Sequence, residues 1–245
     1  MSVLWQTSNN LTAAADACAQ RVLSLLEEAI AAEGFASFAV SGGSTPRPLF
    51  EKLAAAPMKW KQVHVFWVDE RCVPPADPAS NYKLANDYLI QRAHIPETHV
   101  HRIYGEINPE EAAKRYTQEI QDFFGLEEGE LPQFDVVQRG MGPDAHTASL
   151  FPGSPLIDDR EGIAGAIYAP QFQQWRVTLL PGVLLAAKQT VFLVSGADKA
   201  EMVRAVFQDA YEPQKYPAQI ASRREAHAEW FLDRPAAALV DGTQA

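Results

Sequence analysis

Apolar residues recur along this chain with two different periods. Four short, mainly apolar runs, Phe35 to Val40, Val63 to Val68, Phe134 to Val137 and Val191 to Val194, have the length and side-chain content of buried strands. The segments between them carry helical spacing instead. Ala14, Cys18, Val22, Leu25, Leu26 and Ala29 fall on one helical face, with Thr12 as the expected cap and Gly34 as the stop. A second helix is expected to open at Pro46, because a missing N–H costs nothing at the first helical position. A third is expected over Tyr82 to Arg92. Asn108-Pro109-Glu110-Glu111 combines an N-cap, a proline at N1 and a glutamate at N3, which predicts a helix running to Gly125. Asp198 with Glu201 predicts another N-terminus in the same way. The tail, Glu229 to Val240, reads as a short strand followed by a turn or helix. Leu156 to Gln174 resists assignment, and Val177 to Leu185 is broken by Pro181 and Gly182. The alternation of strand and helix predicts an α/β fold with a mostly parallel, doubly wound sheet flanked by helices. With no repeat, low-complexity tract or linker, a single domain over residues 1–245 is expected.

Each of the four apolar runs gives way to a polar motif. These are Ser41-Gly42-Gly43-Ser44-Thr45-Pro46, Asp69-Glu70-Arg71, Gly140-Met141-Gly142-Pro143-Asp144-Ala145-His146 and Ser195-Gly196-Ala197-Asp198-Lys199. In open α/β sheets ligands bind outside the carboxyl ends of the strands, so four decorated ends imply one assembled site. Gly42 and Gly43 between strand and helix let the backbone approach an anion, and Ser44 and Thr45 add hydroxyl donors at a helix N-terminus. Lys199 sits in a first helical turn, where a cation faces the positive dipole end unless an anion docks there. Arg47 has a similar position, but a solvent-facing side chain accounts for it equally well. Arg71 offers bidentate recognition of phosphate, and Asp69 either holds a sugar hydroxyl or fixes the arginine. A salt bridge internal to Asp69-Glu70-Arg71 is the plainer alternative. His146 is the side chain best suited to take a proton at neutral pH, and Asp144 is placed to orient it.

Composition narrows the partners. Net charge is −10, from 21 Lys and Arg against 31 Asp and Glu, and no basic run is long enough to track nucleic acid. No apolar stretch approaches the ~18 residues needed to span a bilayer. Met1 to Asn10 lacks the features of a signal peptide, so a cytoplasmic location is expected. Cys18 and Cys72 are far apart in sequence, which argues against a structural disulfide. There is no Walker loop, no GxGxxG fingerprint and no Gly-x-Ser-x-Gly elbow. His99-Val100-His101 has no companion ligands at metal-site spacing, and the pair reads as surface histidines.

Taken together, the four motifs with Ser80-Asn81-Tyr82 and Trp230-Phe231-Leu232-Asp233 resemble the glucosamine-6-phosphate isomerase/6-phosphogluconolactonase family over nearly the whole chain. The most specific segment is Asp144-Ala145-His146-Thr147-Ala148-Ser149-Leu150-Phe151-Pro152-Gly153, which is similar to the lactonase signature. Two residues depart from the pattern: Ala145 replaces a glycine, and Arg139 stands where an apolar residue is usual. An alanine forced to positive φ would be strained. The resemblance implies the sheet fold of glucosamine-6-phosphate deaminase and ribose-5-phosphate isomerase. It also implies hydrolysis of 6-phosphoglucono-δ-lactone in the oxidative pentose phosphate pathway, without metal or cofactor. On that basis the phosphate would rest on Gly42, Gly43, Ser44 and Thr45, with charge from Arg71, Lys199 and Arg176. His146 would activate water, Asp144 would orient it, and backbone N–H groups near Gly142 would stabilise the oxyanion. An isomerase or deaminase on the same cradle is the near alternative, although that branch carries Asp-Glu-Tyr where this chain has Asp69-Glu70-Arg71. A non-catalytic sugar-phosphate sensor is the more distant one. Oligomeric state is not legible.

Overall fold

The computed structural model describes residues 3–43, 45–222 and 227–240. In chain order the elements are β1 (Leu4–Ser8), α1 (Leu11–Glu33), β2 (Ala36–Val40), α2 (Pro46–Ala55), β3 (Val63–Trp67), β4 (Asp69–Arg71), α3 (Asn81–Ala85) and α4 (Gln91–Ala93). There follow β5 (Val100–His101), α5 (Pro109–Phe124), β6 (Val136–Arg139), β7 (Ala164–Ala169), β8 (Gln174–Leu179), α6 (Pro181–Ala186), β9 (Thr190–Val194), α7 (Ala200–Gln208) and β10 (Ala228–Asp233).

Seven strands form a parallel sheet in the order β1-β10-β9-β6-β2-β3-β5. Every residue of β2 and β9 is buried, as strands covered on both faces must be, and this is why they read as mainly apolar runs without in/out alternation. From β2 the chain first adds β3 and β5 on one side. It then returns to place β6, β9 and β10 on the other, so the strand order reverses between β2 and β6. A crevice forms at such a reversal, outside the carboxyl ends. A second, antiparallel sheet of order β4-β8-β7 stands beside the first. Among the described residues no helix is long and apolar enough to cross a membrane.

Several expected boundaries shift. Asn10, rather than Thr12, caps α1: its side chain accepts the Ala13 N–H at 3.0 Å, while Gly34 ends the helix at φ 84° as expected. Asn108 caps α5 through the Glu110 and Glu111 N–H groups, as its motif predicts. Asp198 caps nothing, because a 3-10 turn over Ala197–Lys199 precedes α7 and the Asp198 carboxylate pairs with Lys199. The predicted Tyr82 to Arg92 helix is α3 and α4 joined by a wide π turn over Asn86–Ile90. The third run pairs only from Val136 onward, because Asp135 instead accepts hydrogen bonds from the Ser37 N–H and hydroxyl, at 2.8 and 2.7 Å.

Asp69-Glu70-Arg71, expected as the polar end of the Val63 to Val68 strand, forms a strand of the small sheet. The unassigned stretch Leu156 to Gln174 supplies β7 and the first residue of β8, a hairpin that turns at Pro170–Phe172, and Val177 to Leu185 supplies the end of β8 and most of α6. β1, for which the sequence shows little signal, is an edge strand that pairs with β10 alone. His99 and His101 are not surface histidines: with His64 they form a half-buried stack against Phe66 and Phe123.

Candidate active site

The chain leaves β2 at Ser41, whose N–H and hydroxyl both donate to Gln138 Oε1 of β6, at 3.1 and 3.2 Å. That clamp holds the two strands of the reversal together. Gly42 follows where no side chain fits, since a Cβ would lie 1.7 Å from Asn81 Oδ1. Gly43 adopts φ 97°, a conformation that L side chains avoid. Ser44 lies outside the described residues. Thr45 precedes α2 without making a capping hydrogen bond. Pro46 and Pro48 have no N–H, so the first turn of α2 leaves few donors orphaned. What it offers an anion is the Arg47 N–H and the positive end of the dipole. The Arg47 side chain is engaged by Glu51 at 3.3 Å and lies 4.4 Å from the centre of the Tyr88 ring.

Along β4, strand alternation puts Asp69 and Arg71 on one face and Glu70 on the other. Glu70 is buried and accepts from the N–H groups of Arg71, Asn81 and Tyr82, each at 2.7 Å, and from the Ser80 hydroxyl at 3.0 Å. Burial pushes its carboxyl above the usual carboxylate range, and the four donors oppose that shift. Glu70 thus pins the start of α3 and places Asn81, whose Nδ2 donates to the Asp69 carbonyl at 2.8 Å. Asp69 accepts the Ser149 hydroxyl at 2.7 Å. Arg71 donates through Nη1 to the Ala79 carbonyl at 2.5 Å, and its buried Nε has no partner among the described residues. Arg176 is the cross-strand neighbour of Arg71, hydrogen-bonded to Gln174 and stacked near Phe172. Burial first, and then the Arg71 charge, hold the Arg176 guanidinium below its ordinary pKa.

After β6 the loop folds back on itself. The His146 carbonyl accepts the Gly142 N–H at 2.9 Å, and the Gly142 carbonyl accepts the Ala145 N–H at 3.1 Å. Of the backbone N–H groups near Gly142 expected to meet an oxyanion, that of Gly142 itself is therefore already committed within the loop. Ala145 takes φ 63° in spite of its Cβ, so the departure from glycine leaves the left-handed turn in place. His146 Nδ1 lies 2.5 Å from Asp144 Oδ1. A carboxylate only accepts, so Nδ1 donates to it, and in the neutral ring the lone pair is then on Nε2. Partial burial pushes the Asp144 carboxyl up, but the hydrogen bond and charge of His146 outweigh it and hold the group below the usual range. The Phe151 ring, centred 4.8 Å from the imidazole, flanks it.

After β9, Asp233 of β10 accepts from the Ser195 hydroxyl at 2.5 Å and the Gly196 N–H at 3.1 Å, which explains why a motif near the C-terminus belongs to the site. Lys199 pairs with Asp198 at 2.6 Å, and its side chain is 16% exposed against 62% for the aspartate. The lysine is thus the inward-facing member of the pair.

These four strand ends enclose one cavity of about 260 Å³. Gly42, Gly43, Thr45, Asp69, Arg71, Gly142, His146 and Lys199 line it; Arg176 and Asp144 stand behind Arg71 and His146. Asn81, Met141 and Thr147 also line the cavity and were not singled out as candidates. Asn81 had a signal in Ser80-Asn81-Tyr82, but only the fold shows that this turn meets Gly42. Two cations, a helix end and a histidine–carboxylate pair around one small cavity suit an anionic substrate and a proton transfer.

The family model described as glucosamine-6-phosphate isomerases/6-phosphogluconolactonase matches residues 9–230. A Synechocystis protein named 6-phosphogluconolactonase is 37% identical over 218 residues, covering 88% of this chain and 89% of its own. A Nostoc protein of the same name is 37% identical over 218 residues, covering 89% and 90%. The crystal structure of a protein called devB superposes with a TM-score of 0.87 at 36% identity, covering 97% of this chain and 99% of that one.

Proposed function

The chain belongs to the glucosamine-6-phosphate isomerase/6-phosphogluconolactonase family, and from that premise we propose that it hydrolyses 6-phosphoglucono-δ-lactone to 6-phosphogluconate, a step of the oxidative pentose phosphate pathway. The observation that carries this reading is the Asp144–His146 pair, opening on a cavity that also holds Arg71 and Lys199. The phosphate sits against Gly42, Gly43 and Thr45, with Arg71 and Lys199 supplying charge and Arg176 reinforcing Arg71 from the neighbouring strand. Asp69 fixes Asn81 and Ser149 and is placed to meet a sugar hydroxyl. The far end of the substrate then reaches His146.

His146 Nε2 takes a proton from water as the oxygen attacks the lactone carbonyl. Asp144 holds the imidazolium that forms. The tetrahedral adduct collapses by breaking the bond between the carbonyl carbon and the ring oxygen. His146 returns its proton to that oxygen, which leaves as the sugar hydroxyl. One water is consumed, no electron changes hands, and the new carboxylic acid ionises in solvent. We place the reaction in the cytoplasm, where the free thiols Cys18 and Cys72 are at home.

Acid release from freshly generated lactone, enzyme against buffer, tests the reading. Wild-type enzyme is expected to accelerate it, and His146→Ala to lower the catalysed rate by ~10²–10⁴-fold while the melting temperature stays close to wild type. Tight binding of 6-phosphogluconate without acceleration would overturn the lactonase and leave a sugar-phosphate sensor or isomerase.

A further inference from the structure

Arg139, the last residue of β6, is completely buried, and no carboxylate pairs with it among the described residues. Desolvating an unpaired guanidinium is costly, so the core is a poor place for one unless its hydrogen bonds matter. Those bonds all run to the loop carrying His146 and to the segment facing it. Nε donates to Thr147 Oγ1 at 3.1 Å, Nη1 donates to the Ile220 carbonyl at 2.8 Å, and the guanidinium stacks 4.6 Å from the Phe192 ring centre. The Thr147 hydroxyl in turn donates to the Gly140 carbonyl at 3.0 Å. The Gly140 carbonyl, Thr147, Arg139 and Ile220 therefore form one chain that closes the loop at its base and ties it across to residues 217–222. A second tie runs beside it, from the Ala218 N–H to the Ala145 carbonyl at 2.9 Å.

The backbone needs such ties. Ala145 and Ala148 in the loop and Ala221 opposite it have φ of 63°, 52° and 51°, a region in which a Cβ is strained. Strained conformers persist only where their surroundings over-determine them.

We propose that Arg139 is a positioning residue for the hydrolysis described above: it locks the 140–148 loop in the conformation that presents His146 to the cavity. The proposal rests on that reading for its catalytic consequence, and on the hydrogen-bond chain for its structural one. Burial lowers the Arg139 pKa to about 9, which still leaves the group protonated, with all its donors, at neutral pH.

Arg139→Met, Arg139→Lys and Thr147→Val test it. Calorimetric titration with 6-phosphogluconate counts competent sites, and kcat is expressed per site. In Arg139→Met, kcat per site is expected to fall about 10–100-fold, the cost of a misplaced reacting group. KM and product affinity should stay within about twofold, because the phosphate is held at other strand ends. Amides of residues 140–148 should exchange faster while those of β2 and β9 do not. Arg139→Lys, whose donors all sit on one charged nitrogen, should recover part of kcat. Thr147→Val breaks the same chain with less disturbance to the core and serves if Arg139→Met does not fold. Combined with Arg139→Lys it should cost less than the sum of the two, as members of one network do. Unchanged kcat per site with unchanged loop exchange would overturn the proposal and make Arg139 a core filler. Absence of lactone hydrolysis by the wild type would refute the lactonase instead, with loop exchange still deciding whether Arg139 pins the loop.

Discussion

A methyl group added at Gly142 would sit 2.1 Å from both Cε1 and Nδ1 of His146 and 2.7 Å from Asp144 Oδ1. The glycine is there to let the imidazole lie against its own loop. Gly142→Ala should displace the ring and lower kcat about 100-fold with product binding retained, as steady-state rates and calorimetry would reveal. Asp144→Asn acts on the same ring by another route. An amide NH₂ facing Nδ1 favours the tautomer with the proton on Nε2, which removes the base. Its kcat should fall by about 10²–10⁴-fold without loss of fold. Arg71→Ala and Lys199→Ala belong to substrate holding instead. Each removes a hydrogen bond to a charged group, so KM is expected to rise about 10–100-fold, more than kcat falls.

Between elements, α5 is fastened to the main sheet where β3, still paired with β2, has run out of partner on its β5 side. β5 pairs with β3 only as far as Phe66, and the fully buried Tyr116 hydroxyl bonds both the N–H and the carbonyl of Trp67, at 2.9 and 2.8 Å. Tyr116→Phe orphans both groups and should destabilise the protein by about 1–3 kcal/mol, measurable by urea unfolding. The histidine stack lies on the same side. His64 rests 3.9 Å from the His99 ring centre, its Nδ1 is 3.0 Å from His101 Nε2, and His101 Nδ1 is 3.0 Å from Glu119. Burial first, then His99 and His101, push His64 down to about 4 from an ordinary value of 6.5. Between those two values the unfolded chain binds a proton that the folded chain refuses. Stability from this group is thus complete above about pH 6.5 and is lost as pH falls toward 4. Melting temperatures measured across that window should drop on the acid side, and more shallowly in His64→Phe.

In the whole molecule, two apolar clusters share the parallel sheet, and β9 belongs to both. Val191 and Leu193 point into the larger cluster; Phe192 and Val194 point into the smaller, where Phe192 stacks 3.8 Å from Trp230 of β10. Neither cluster can come apart without exposing one face of this central strand. We therefore propose that the chain unfolds as a single cooperative unit, so that calorimetry shows one transition with equal calorimetric and van't Hoff enthalpies. Two resolved transitions would divide the chain.

Local chemistry carried much of this protein. Mainly apolar runs announced β2, β3 and β9 because both faces of those strands are covered. Asn108-Pro109 and Gly125 delimited α5 because caps are short-range devices. The glycines, His146 and Lys199 stood out because each sits oddly for the element beside it. What sequence could not convey was pairing at a distance. β1 and the β7–β8 hairpin have weak patterns, since an edge strand and a half-exposed sheet need little apolar surface. That Asp233 braces Ser195, that Glu70 is structural while its neighbours face the cavity, and that Arg139 ties the His146 loop across to Ile220 depend on contacts 38, 11 and 81 residues apart. Residue types and their order set which groups were available. Only the reversal of strand order between β2 and β6 brought them around one cavity, because the carboxyl ends of parallel strands meet there.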